Sequence, residues 1–271
     1  MLTDERQYEM AELIRREGKA SITELAQRFG VSGETVRRDL AVICADGQIR
    51  KVHGGAVAVR RPVREESYAR RQLHNTHNKM KIGELAATRL SDHQVIGIDA
   101  GTCAESFARA IRGVSNITVI TPSIPVATIL SQKIANGELT GEICLLGGTV
   151  HPETGTVSGM STLTQLQNYR MDLAFLAVTA VTEEDLMSGN ESDGAFTAAL
   201  LRYAHTSYVL AESEKLGKQS YYRVADLREV HELITDDQYP VPDTLRAALK
   251  GAGVTLAIAP LGENPQPKEN S

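Results

Sequence analysis

Apolar positions along this chain follow two different grammars. From Met10 to Ile43 they recur at three- and four-residue spacing, the mark of amphipathic helices. Met10, Leu13 and Ile14 form the spine of a first helix. Leu25, Ala26 and Phe29 give a second its stripe, and Gly30 ends it. Val36, Leu40 and Ile43 fall at i, i+4 and i+7 of a third. Polar residues mark the starts. Ser21 with Glu24 has the capping-box form, and Ser32 is placed to cap the third helix by accepting from a backbone N–H. Val31 plugs the turn between them. The stretch Gly47-Gln48-Ile49-Arg50-Lys51-Val52-His53-Gly54-Gly55-Ala56 then reads as a glycine-bounded hairpin, with Ile49 and Val52 expected to pack inward. The pattern predicts a helix-turn-helix followed by a basic wing.

From residue 82 strands and helices alternate. GELAATRL reads as a helix and QVIGIDAG as a buried strand; CAESFARAI, PSIPVATILSQKI, TLTQLQNY, AFTAALLRYA and PDTLRAALK read as helices. NITVIT, EICLLGG, MDLAFLAV, SYVLAE, HELITD and VTLAIA read as strands. Such alternation predicts a mainly parallel sheet with helices on both faces. The expected fold class is α/β, an N-terminal winged helix-turn-helix joined to a Rossmann-like, mainly parallel sheet domain. The boundaries read as 1–57 for the winged helix, 58–81 for a linker with the polarity of a solvated connector or an exposed helix, 82–259 for the sheet domain and 260–271 for a disordered tail. No internal repeat is visible.

At 271 residues and 42% hydrophobic content the chain can fill two cores. No run approaches the roughly 18 apolar residues of a membrane span. The polar start, MLTDERQYEM, is unlike a signal peptide, and Cys44, Cys103 and Cys144 are odd in number and far apart. These features fit a cytoplasmic protein with reduced thiols and no membrane partner. The net charge of −5 argues against nucleic acid only until it is divided. Residues 1–81 carry 16 Lys and Arg against 11 Asp and Glu, and residues 82–271 carry 13 against 23. The basic part coincides with the helix-turn-helix, where phosphate neutralisation is required.

At about 100° per residue, Glu34, Arg37, Arg38 and Ala41 turn away from the apolar face of the third helix, with Thr35 on one flank. An isolated Arg-Arg pair usually means a solvated face. Here the preceding helices and the following wing favour a DNA major groove instead. The candidate DNA-binding residues are Ser32, Glu34, Thr35, Arg37 and Arg38, with Arg50, Lys51 and His53 on the wing for phosphates or the minor groove. Arg60, Arg61, Arg64, Arg70 and Arg71 either add phosphate contacts or keep a hinge soluble. His74 and His77 lie one helical turn apart, but without a nearby carboxylate or cysteine they predict no metal site.

In parallel sheets ligands bind beyond the carboxyl ends of the strands, near helix N-termini. Candidate effector residues recur at such ends: Asp99, Gly101, Thr102 and Cys103 first, then Ser123, then Gly147 and Gly148, then Ser158 and Gly159, and late in the chain Glu212 and Lys215. Each alone is more often a plain turn; their recurrence is what points to a ligand. Amides after Gly101 suit a phosphate, and Asp99 suits sugar hydroxyls. Asp99, Gly101, Thr102, Ser123 and Lys215 are expected to line one pocket.

VSGETVRRDL followed by a wing ending in HGGA resembles the DNA-binding domain of the DeoR family of bacterial transcription regulators. The matching residues are Ser32, Thr35, Val36, Arg37, Arg38, Asp39 and Leu40, then His53, Gly54, Gly55 and Ala56. The blocks IDAGTC, TPSIPVA, LLGG, MDLAF and LAESEKLGK resemble that family's sensor domain, which is similar to ribose-5-phosphate isomerase. The resemblance implies a repressor of a carbohydrate-metabolism operon. Its implied partners are double-stranded operator DNA and a small-molecule effector, a phosphorylated sugar or related metabolite, with no cofactor. Three positions depart from the family pattern. Glu212 stands where Asp is usual, Thr197 where a lysine is usual, with Asp193 near the usual acid, and Ala177-Val178-Thr179-Ala180 where glycines are common. They imply a less cationic pocket.

Two other classes compete. Asp99, Glu212 and Lys215 could serve as acid, base and electrophile of a sugar-phosphate isomerase fused to a DNA-binding module. Fold likeness alone does not transfer chemistry, and a non-catalytic sensor is the expectation. Cys103 at a helix N-terminus could be a redox sensor, although a buried small residue is the commoner case. Because one winged helix buries little DNA surface, a homodimer or homotetramer held through residues 82–259 is expected.

Overall fold

The computed structural model describes residues 3–46, 49–58 and 66–262. Gly47, Gln48, Arg60, Arg61, Arg64 and most of the expected tail lie outside them. The chain divides into two compact units, Met1–Pro62 and Val63–Ser271.

The first unit contains α1 (Thr3–Glu17), β1 (Lys19–Ser21), α2 (Ile22–Phe29), α3 (Gly33–Ile43), β2 (Ile49–Val52) and β3 (Gly55–Ala58). Ser21 and Glu24 form the reciprocal capping box at α2, and Gly30 closes that helix in the left-handed conformation. Met10, Ile14, Leu25, Val36, Leu40 and Ile49 are fully buried, so the expected spines meet in one core. Two features differ from expectation. The wing is a three-stranded antiparallel sheet, because β1 pairs with β3. Val52 is exposed, since a strand's two-residue period sends positions three apart to opposite faces and Ile49 takes the inner one. Gly55 sits where a Cβ would lie 2.3 Å from the carbonyl oxygen of Ala20, so the β1–β3 approach requires glycine there.

The second unit opens with α4 (Tyr68–Leu73) and α5 (Thr76–Ala87). Of the two alternatives for the linker, its described part takes the helical one, but Asn78 and Lys79 are buried rather than exposed. There follow β4 (Val95–Ile98), α6 (Thr102–Ala110), β5 (Ile117–Thr121), α7 (Ile124–Ala135), β6 (Gly141–Leu145), β7 (Thr149–His151), β8 (Thr156–Ser158), α8 (Met160–Leu166) and β9 (Met171–Ala177). The remainder is β10 (Ala180–Val181), β11 (Asp185–Ser188), α9 (Glu191–Arg202), β12 (Ala204–Leu210), β13 (Tyr222–Asp226), β14 (Glu232–Asp236), α10 (Asp243–Ala252) and β15 (Thr255–Ala259).

Seven strands form one parallel sheet in the order β15-β14-β12-β9-β4-β5-β6. From β4 the chain winds outward through β5 to β6, then returns to β9 and winds the other way. Neighbouring β4 and β9 therefore form the topological switch point, where the diverging connections leave a crevice above the strand ends. Fully buried Ile96, Ile98, Phe107, Phe175 and Leu200 fill the layers on either side of the sheet. Two small sheets, β7-β8 and β10-β11-β13, had no clear sequence signal, being short and bounded by polar residues.

Candidate functional site

On α3 the buried stripe of Val36, Leu40 and Ile43 leaves Glu34, Arg37, Arg38, Ala41 and Val42 facing solvent. Ser32 caps the helix, its hydroxyl accepting from the Thr35 amide at 3.2 Å and lying 2.9 Å from the Thr35 hydroxyl. The capping role engages both polar groups locally. Arg37 meets Glu34 at 3.3 Å, an exposed pair that costs little to open. On the wing Arg50, Lys51 and His53 are exposed.

Asp39 is the α3 residue whose role the pattern hid. It is buried, and its carboxylate accepts from Arg6 Nε at 2.8 Å and from Gln7 Nε2 at 2.8 Å on α1. Burial works to raise its pKa, but the hydrogen bonds and the Arg6 charge outweigh burial and hold it below the usual carboxylate value. Asp39 thus braces the helix that presents Arg37 and Arg38.

In the second unit one pocket opens at the switch point. Its walls include Asp99 after β4, Gly101, Thr102 and Cys103 at the start of α6, and Lys215 in the turn after β12. Thr154 and Thr156 from the β7–β8 hairpin, Asp193 and Thr197 from α9, and Tyr68 and Arg71 from α4 complete it. In sequence Thr197 stands out as a departure from the family pattern, and Asp193 as lying near its usual acid. Tyr68 and Arg71 gave no such signal.

Asp99 is the most constrained group in the pocket. One carboxylate oxygen accepts from the Ala100 amide at 2.8 Å; the other accepts from the Thr197 hydroxyl at 2.7 Å and the Ala177 amide at 3.2 Å. Burial nevertheless pushes its pKa up to about 7, with the Asp193 charge adding to it and the three hydrogen bonds opposing. Lys215 Nζ donates to the Val178 carbonyl at 3.1 Å and lies 3.4 Å from Glu212. Glu212 itself is buried behind the pocket wall, between Lys215 and the equally buried Lys79 at 3.6 Å. Cys103 lines the pocket, but burial together with the nearby Glu212 charge pushes its thiol up to about 12. This is opposite to the lowered pKa that a redox sensor requires.

The other expected effector residues are not among those lining this pocket. Ser123 is buried and caps α7, accepting from the Val126 amide at 3.2 Å. The Gly147 amide donates to Gln165. Gly148 packs so closely that a Cβ would lie 2.3 Å from the Thr162 hydroxyl oxygen, a steric reason for glycine. Ser158 pairs with His151 at 2.6 Å and, with Gly159, borders a separate depression beside Met160 and Phe196.

The histidines of the second unit part company. His77 meets the Leu261 carbonyl at 2.9 Å. His74 does have carboxylates nearby in space, with ligand atoms of His74, Glu212 and Glu214 within 4.8 Å of one another. Two ammonium groups already compensate Glu212, which weighs against a cation there. No helix among the described residues is long and apolar enough to cross a membrane.

Comparison with known proteins agrees with both halves. A model of the DeoR-like helix-turn-helix domain matches residues 6–61, and one of the DeoR C-terminal sensor domain matches residues 74–237. The chain is 31% identical over 236 residues to the HTH-type transcriptional repressor GlcR of Bacillus subtilis, covering 87% of this chain and 89% of that one. It is 30% identical over 257 residues to the HTH-type transcriptional regulator GlpR of Haloferax volcanii, covering 94% and 98%. Among solved structures, the full-length sorbitol operon regulator SorC of Klebsiella pneumoniae aligns at 14% identity and a TM-score of 0.39, over 92% of this chain and 99% of that one.

Proposed function

We propose that this chain, which belongs to the DeoR family of helix-turn-helix transcriptional regulators, represses a carbohydrate-metabolism operon and is retuned by a sugar phosphate or related metabolite. The observation that carries the DNA-binding half is the α3 face. It offers Arg37 and Arg38 to solvent beside a wing bearing Arg50, Lys51 and His53. Arginine reads guanine bidentately in the major groove, and the wing cations meet phosphates. The effector half rests on the switch-point pocket, which sets a helix N-terminus, Arg71 and Lys215 against Asp99 and several hydroxyls. That combination suits an anionic group attached to a polyhydroxy body.

The sensor binds without turnover in this reading. Glu212 lies behind the wall between two lysines, so it is not presented to a substrate as a general base. Residues 1–57 read DNA, and a homodimer or homotetramer formed through residues 82–259 aligns two winged helices with two half-sites. The test is selection of bound sequences from a random DNA pool by the full chain, then titration of the selected complex with sugar monophosphates and the matching free sugars. Loss of DNA affinity with a phosphorylated sugar, and its recovery unchanged after incubation, is the expected result. Conversion of the sugar phosphate to an isomer would support the enzyme reading instead.

A further inference from the structure

We propose that Arg71 on α4 is an anion-binding side chain of the sensor pocket, and that an anion seated there fixes α4, the first helix after the segment joining the two units. The proposal deepens the effector reading above and rests on it.

Three observations converge on this helix. First, the Arg71 guanidinium stands over the start of α6: a Cβ built on Gly101 would lie 3.9 Å from Arg71 Nη1. The first-turn amides of α6 have no intrahelical acceptors. Beside them Thr102 is only 7% exposed and lines the pocket, yet its hydroxyl makes no hydrogen bond to any described residue. A pocket-lining hydroxyl with no described protein partner, beside helix amides that lack intrahelical acceptors, favours an anion held jointly by α6 and Arg71.

Second, α4 is short and lies on the surface of its unit. It spans six residues, buries no side chain and has no side-chain cap. A helix this short is not stable by itself. Two of its contacts run through its own side chains: the Tyr68 hydroxyl donates to Glu105 on α6, and Arg71 Nε donates to the Glu66 carbonyl at 3.1 Å. One bidentate or charge-assisted contact from Arg71 to a ligand is therefore a large addition.

Third, the far end of α4 is tied to the same pocket from behind. Lys79 Nζ donates to the carbonyls of Arg71 and His74, at the C-terminal end of α4. The same ammonium faces Glu212, which faces Lys215 in the pocket wall. An anion that draws Lys215 forward leaves Glu212 to lean on Lys79, which clamps those carbonyls. Both cationic walls of the pocket thus act on one helix.

The test is amide hydrogen exchange on the full chain, with inorganic phosphate and with the sugar monophosphate that most raises its melting temperature. In the wild type, saturating sugar phosphate should slow exchange at residues 68–73 and 102–106 together. Arg71→Ala should weaken the sugar phosphate at least about tenfold, the loss of a charge-assisted bond. At saturation it should protect residues 102–106 but no longer 68–73, and Arg71→Lys should restore part of the affinity. Protection of 102–106 in the wild type with 68–73 unchanged would overturn the proposal and leave the effector reading standing. So would an Arg71→Ala affinity within twofold of wild type. Absence of protection at 102–106 with every sugar phosphate would overturn both.

Discussion

Thr197 donates a 2.7 Å hydrogen bond to Asp99 from 98 positions further along the chain, joining α9 to the strand end at the switch point. Thr197 stands where the family resemblance places a lysine. A lysine there would face the carboxylate with a full charge and favour its ionised form. A hydroxyl donates one neutral hydrogen bond, so burial dominates and the Asp99 pKa rises from 3.8 to about 7.

That shift has a defined sign in stability. Between pH 4 and 7 the folded chain holds a proton on Asp99 that the unfolded chain has released. The contribution of Asp99 is full below about pH 4 and is lost as pH rises through 7. Wild type should therefore lose stability relative to Asp99→Asn across this window, by up to about 1.4 kcal/mol per pH unit. Urea denaturation of both proteins at pH 5 and pH 8 measures the difference; parallel pH profiles would contradict it.

Thr197→Val keeps the shape and removes the donor. Asp99 then retains only the Ala100 and Ala177 amides, and a buried acceptor loses a partner. The expected cost is about 1–3 kcal/mol. Thr197→Lys should instead flatten or reverse the pH dependence described above, because its charge favours the carboxylate. A Thr197→Lys profile identical to wild type would show that Asp99 is not the group responsible.

Cys103 gives a chemical test of the pocket wall. Its thiol is buried and raised to about 12, while Cys44 and Cys144 are half-buried. Brief iodoacetamide treatment of the folded chain at pH 8 should label Cys44 and Cys144 ahead of Cys103, since the thiolate is the nucleophile. Peptide mapping that found Cys103 labelled first would restore the redox-sensor reading.

How much was legible in the sequence followed the range of the interactions. Val36, Leu40 and Ile43 share a face because helical period is local, so the exposed arginines followed directly. Asp99, Gly101, Thr102 and Lys215 meet because parallel strands bring successive ends to one edge. Ser123, Gly147 and Gly148 sit at equally plausible ends, but capping and close packing use them, and turn composition does not separate those roles from ligand contact. Arg71 was hidden for a different reason. A six-residue helix that buries nothing has no apolar stripe, and its arginines read either as DNA phosphate contacts or as groups keeping a hinge soluble, not as part of a pocket.

Arg38→Ala tests the recognition face without touching the core. Its side chain is exposed opposite the buried stripe, so the melting temperature should stay near wild type. Binding to the selected operator should weaken by about 1–3 kcal/mol, with relaxed preference at one base position. Unchanged affinity and an unchanged salt slope would remove Arg38 from the interface.

Asp39 separates presentation of that face from contact with DNA. Its carboxylate touches Arg6 and Gln7 rather than solvent, so it acts on DNA binding only through the packing of α1 on α3. Asp39→Ala strands Arg6, whose side chain is 13% exposed, and should destabilise the first unit by about 1–3 kcal/mol, the partial exposure keeping the loss below that of a fully buried pair. Because the Asp39 pKa lies below its ordinary value, its contribution is present above about pH 4 and fades as pH falls through the folded value. A double-mutant cycle with Arg6→Ala, read by urea denaturation at pH 7, should give a stabilising coupling that shrinks at pH 3. Operator affinity in Asp39→Ala should fall with the salt slope preserved, since no phosphate contact is lost. A reduced slope would instead mean that Asp39 positions one of the phosphate-binding cations.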